Sequence, residues 1–136
     1  MSPKTFGSLF ILLTVVLTGC STTQQNAPQA KPETVLVTYR VKHGNEAELR
    51  QTVERAWTVY TSQHLVFAEP HVLLQDTEEG KPRFIEIFTW VDRSTPEHAP
   101  DAVMAVWKEE ESLCEKRGGH YGIEPGEVQL LLPAKK

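Results

Sequence analysis

Residues 83–91, RFIEIFTWV, constrain the fold more than any other stretch of the chain. The segment is rich in β-branched and aromatic residues and lacks Gly and Pro, which marks a strand. Successive side chains of a strand point to opposite faces, so Phe84, Phe88 and Trp90 share one face and Ile85, Ile87 and Val91 the other. A sheet with one wet face alternates apolar with polar residues; here both faces are apolar. One face can take helices from the same chain. The other needs a partner surface, and two such sheets meeting face to face in a symmetric homodimer would provide it.

The flanking segments supply the rest of the architecture. Residues 34–42 (TVLVTYRVK) read as a first strand, broken by Gly44-Asn45. Leu49, Val53, Ala56, Trp57 and Tyr60 then recur at offsets of three and four, the stripe of an amphipathic helix, and Asn45 with Glu48 has the spacing of a capping box. A second strand is expected near residues 70–76, followed by a polar turn at 77–82. Val103, Val106, Trp107, Leu113 and Cys114 mark a second helix that Gly118-Gly119 would stop. Its start is open: Thr95-Pro96 looks like a cap followed by Pro in the first turn, while Pro100 suggests either a short preceding turn or a break. Residues 127–132 (EVQLLL) read as the last strand. The order β-α-β-β-α-β specifies a ferredoxin-like α+β fold, a four-stranded antiparallel sheet with two helices on one face.

The N-terminus carries an address. Lys4 precedes an apolar run at 10–17, broken only by Thr14, that ends in Leu17-Thr18-Gly19-Cys20. This ending resembles a bacterial lipobox, and the run is too short to span a bilayer, which takes about 20 apolar residues. The reading is a signal peptide at 1–19, a lipid anchor on Cys20 with a polar tether to residue 33, and one domain over 34–133. Ser21, rather than Asp, after the cysteine favours the outer membrane, with the domain facing the periplasm. The formal charge is −4, and loss of Lys4 with the signal makes it more negative. An acidic chain of this kind is a poor fit to nucleic acid. With Cys20 acylated, Cys114 has no thiol to pair with and is expected to be buried and inert.

The element order, the two-sided strand ending Phe88-Thr89-Trp90, and a second helical region with His98 and Trp107 resemble the dimeric α/β-barrel superfamily. Within it, the likeness is to the antibiotic-biosynthesis-monooxygenase-like (ABM) domains, over residues 34–132. That resemblance implies a homodimer and a cavity between sheet and helices for a small apolar or aromatic molecule, with no cofactor. It also implies that cofactor-independent oxygenation or isomerisation is one possible activity, beside non-catalytic ligand binding and a purely structural dimer. The haem-degrading branch places an Asn on the first strand; Val37-Thr38-Tyr39-Arg40 has none.

Glu86 is the anomalous core residue, a carboxylate between Phe84 and Phe88 on one face of the central strand. Such a group must be paired or have a raised pKa. It is either a general base or a structural acceptor for Arg40, Lys42 or Tyr39. His98 is the second candidate base. His71, Trp90 and Tyr39 are candidates to border a ligand. His71, His98 and Glu86 could together hold a divalent metal, but no tight ligand spacing supports this. Trp57 and Trp107 read as core, and Glu109-Glu110-Glu111 as a solvated helix face. His43 and His64 are placed at the surface, and His120 is expected to cap the second helix. Gly118-Gly119 lacks the pattern of a phosphate-binding loop.

Overall fold

The computed structural model describes residues 29–131. The signal segment, Cys20 and most of the tether lie outside the described residues. Among those described, no helix is long and apolar enough to cross a membrane.

Among the described residues seven elements follow one another: β1 (Glu33–Arg40), α1 (Glu46–Ser62), β2 (Val66–Glu78), β3 (Lys81–Trp90), a 3-10 turn (Thr95–His98), α2 (Asp101–Ser112) and β4 (Ile123–Glu127). The strands form one antiparallel sheet in the order β2-β3-β1-β4. This is the ferredoxin-like α+β arrangement that the sequence specifies, with β3 and β1, the strands richest in buried residues, at its centre. The inner face presents Val35, Val37 and Tyr39 from β1 and Phe84, Phe88 and Trp90 from β3. Leu49, Val53, Ala56 and Tyr60 of α1 and Val103 and Val106 of α2 close over them.

The outer face follows from the register. Leu36 lies opposite Ile87, which lies opposite Val72; Thr38, Ile85 and Leu74 form the next row. On the edge strand Val72 and Leu74 are 38% and 51% exposed, while Leu36, Ile85 and Ile87 at the centre are half-buried, so this face is apolar and partly open. One end is ionic instead. Arg40 stands opposite Arg83, a like-charge pair that Glu78 neutralises by bonding to both. Arg40 also bonds Glu124, and Arg83 bonds Asp76.

Local chemistry explains where the expected elements shift. β2 and β3 are longer than their apolar cores because a tight turn joins them, with Glu79 and Gly80 at φ 53° and 76°. Paired positive φ values suit the twist of a hairpin. The strand expected at 127–132 forms earlier, at Ile123–Glu127. Glu127 already faces Val35 near the start of β1, and after the Val128 N–H donates to the Thr34 carbonyl the chain leaves its partner behind. Leu131, 85% exposed, is apolar without being paired.

Asn45 makes no side-chain cap: its φ of −101° and ψ of 11° are not the extended geometry that aims a cap at the first turn. The second helix starts after Pro100 and ends at Ser112, short of Gly118. Thr95-Pro96 opens a separate 3-10 turn. Cys114 lies beyond the helix and bridges to Val41, while His120 bridges to Arg117 and bonds Glu124 rather than a helix end.

Gly122 sits where this return segment meets β1. Its carbonyl accepts from the Arg40 N–H at 2.7 Å. A Cβ there would stand 3.1 Å from both the Cys114 Cβ and the Glu115 nitrogen, so the close approach favours glycine and any side chain would make the neighbouring segment give way.

Candidate functional site

A cavity of about 730 Å³ opens between the sheet and α2. Its walls come from elements whose inward residues are large and apolar. β1 gives Val35, Val37 and Tyr39, β3 gives Phe88 and Trp90, α1 gives Tyr60, α2 gives Trp107 and Glu110, and β4 gives Ile123. The aromatic rings interlock edge to face. Trp90 lies 4.9 Å from Phe88 and 6.3 Å from Trp107, both at 79° between planes. The Trp107 indole N–H donates to the Tyr60 hydroxyl at 2.5 Å. Burial, with the nearby Glu110 charge, raises the Tyr60 phenol far above its ordinary range. It stays protonated.

Glu86 lies behind this wall. It is 1% exposed; one oxygen accepts from the Tyr39 hydroxyl at 2.7 Å and the other is bonded to His71 Nε2 at 2.9 Å. Tyr39 is thus the partner of Glu86, and Arg40 is not: alternation along β1 sends Arg40 to the outer face. His71 lies flat against Trp57, with ring centroids 3.6 Å apart. Its side chain is 25% exposed. A continuous hydrogen-bonded row therefore runs from a partly solvated imidazole through Glu86 to Tyr39, which lines the cavity. Burial, then the charges of Glu86 and Glu110, raise the Tyr39 phenol well above its ordinary value, so it acts as a donor.

The structure brings together Tyr39, Glu86 and His71, and places Trp90 in the cavity wall. His98 is not joined to them. It is exposed on the 3-10 turn, and neither it, Glu86 nor His71 lines the cavity. The trio His71, His98 and Glu86 is not assembled, and among the described residues no group of three or more His, Cys, Asp or Glu could hold a metal. His43 and His64 are exposed. Trp57 and Trp107 pack against the core while partly buried, and Trp107 also lines the cavity.

Glu110 overturns the reading of residues 109–111 as a solvated face. Glu109 and Glu111 are exposed, but Glu110 is 2% exposed and lines the cavity. Its Oε1 has no hydrogen-bond partner. Burial first, then the charges of Glu86 and Glu109, raise its carboxyl to about 8. Cys114, also in the wall, is buried, and its thiol is pushed up to about 12 by burial and by Glu110. The signal for Glu110 was periodicity: position 110 falls seven after Val103 and four after Val106, on the inner stripe of α2.

No protein-family model matches the sequence, and no curated protein matches it. Solved structures do match in fold. SnoaB, a cofactor-independent oxygenase from Streptomyces nogalater, superposes with a TM-score of 0.57 at 17% identity, covering 79% of this chain and 100% of that one. A candidate antibiotic biosynthesis monooxygenase from Nitrosomonas europaea gives 0.55 at 11% identity, covering 79% and 97%. Rv0793 from Mycobacterium tuberculosis gives 0.53 at 11% identity, covering 77% and 100%. The fold is that of the ABM-type proteins; identities this low carry the fold alone.

Proposed function

We propose that the chain is an ABM-type domain that holds a small apolar or aromatic molecule in the cavity between sheet and α2. The carrying observation is the wall itself: Tyr39, Tyr60, Phe88, Trp90 and Trp107 surround a space the size of a small ligand. The open row Val72, Ile87 and Leu36 supports a homodimer formed through the outer face. The lipobox supports acylation at Cys20 and attachment to the cell envelope, with the outer membrane favoured by Ser21. Native mass spectrometry of the detergent-solubilised chain tests these together. A dimer mass, a lipid adduct on Cys20 and a copurified small molecule are expected. A ligand-free protein that also fails to quench tryptophan fluorescence with any aromatic probe would remove the binding reading.

The row His71–Glu86–Tyr39 favours a catalytic version, cofactor-independent oxygenation or isomerisation, in which it carries a proton away from an acidic substrate. Tyr39 would take the proton from the substrate as it passes its own to Glu86, and His71 would connect Glu86 to solvent. His98 stands outside the cavity wall and has no role in this version. Glu86→Gln should then stop ligand turnover while ligand binding persists. Turnover unchanged in that variant would exclude Glu86 as the proton acceptor and leave the binding reading standing.

A further inference from the structure

We propose that the cavity is shaped for an aromatic organic ammonium ion, with the Glu110 carboxylate as its counter-ion. This rests on the reading that the cavity holds a small molecule, and it adds the ligand's charge. Glu110 is almost wholly buried, lines the cavity and leaves Oε1 unbonded. A buried carboxyl with an unmet oxygen is costly and needs an explanation. None of the ion pairs among the described residues includes Glu110.

No cation is among the charges that shift Glu110, although Lys42 and Arg117 act on its neighbour Cys114. Glu110 faces Tyr39 of β1, Tyr60 of α1, Glu86 of β3 and Cys114 after α2, with Glu109 beside it on its own helix. Burial first, then the charges of Glu86 and Glu109, favour the protonated form of Glu110 near neutral pH. The other charged residues lining the cavity are Glu33, Glu111, Glu127 and Lys116, whose ammonium lies 5.2 Å from the Tyr121 ring centroid. A neutral carbonyl compound could accept one bond from protonated Glu110 and no more. An ammonium takes the place of that proton as the positive partner of the carboxylate, and it also gains from the electron-rich faces of the aromatic wall. The step is a simple exchange: Glu110 gives its proton to solvent, and the ligand keeps its own charge.

Isothermal titration of the detergent-solubilised full chain with phenethylammonium, 2-phenylethanol and phenylacetate tests this, in two buffers of different ionisation heat. The ammonium is expected to bind about tenfold or more tighter than the alcohol, with phenylacetate weakest. It should release about one proton per molecule bound near pH 7. Glu110→Gln should erase both the preference and the proton release while the alcohol still binds. The proton count on the unaltered chain stands even if the variant folds poorly. An ammonium that binds no tighter than the alcohol, or binds without proton release, overturns the proposal and spares the cavity. If none of the three binds, the ligand-cavity reading falls with it.

Discussion

The Trp57 indole and the His71 imidazole lie 3.6 Å apart at the centroids, with their planes within 8° of parallel. The stack fixes the imidazole where Nε2 meets Glu86. Replacing His71 by Phe keeps a flat ring for Trp57 but leaves a buried carboxylate oxygen unpaired, a loss of about 2 kcal/mol. Urea unfolding should show the midpoint fall with an unchanged slope, and Trp57→Ala should cost at least as much.

Glu110 makes stability depend on pH. Its folded pKa is raised from 4.5 to about 8, so the folded state binds more protons than the unfolded chain between those values. The stabilisation is complete at low pH and is lost as pH rises through that window, by up to about 5 kcal/mol. Thermal melting across the window should show the wild-type midpoint falling while Glu110→Gln stays nearly flat. A parallel decline in the variant would mean that another group titrates.

Much of this fold was readable in the chain because each central strand and each helix carries its own periodicity. The two-sided strand at 83–91, the Leu49–Tyr60 stripe and the turn before Lys81 all state their local geometry. What could not be read depended on partners. The end of β4 is set by where β1 begins, which the apolar run Leu130-Leu131-Leu132 does not disclose. Glu86 announced itself as a lone acid between two phenylalanines, and its bond to Tyr39 was among the readings left open. Glu110 was hidden by its neighbours Glu109 and Glu111, whose charge suggested solvent although the helical phase pointed inward.

The outer face provides a test of assembly. Ile87 is the middle of the row Leu36, Ile87 and Val72. Ile87→Lys should shift the sedimenting species from dimer to monomer at micromolar concentration while circular dichroism keeps the native spectrum. A wild-type chain that sediments as a folded monomer would refute the dimer.

Cys114 should resist modification. It is buried and its thiol is pushed up to about 12, so almost no thiolate exists near pH 8. In a chain bearing Cys20→Ser, iodoacetamide is expected to leave the folded protein unlabelled and to modify it once in urea. Rapid native labelling would show that the cavity wall opens.

Gly122 borders the cavity with nothing but backbone, separated from the segment that follows α2 by less than the width of a methyl group. Capacity is therefore adjustable from behind. An alanine there would displace that segment by a few tenths of an ångström, carrying Cys114 with it, and so reshape the chamber without exchanging any side chain that lines it. Protein engineers seeking a reshaped cavity have a single-atom dial at this position.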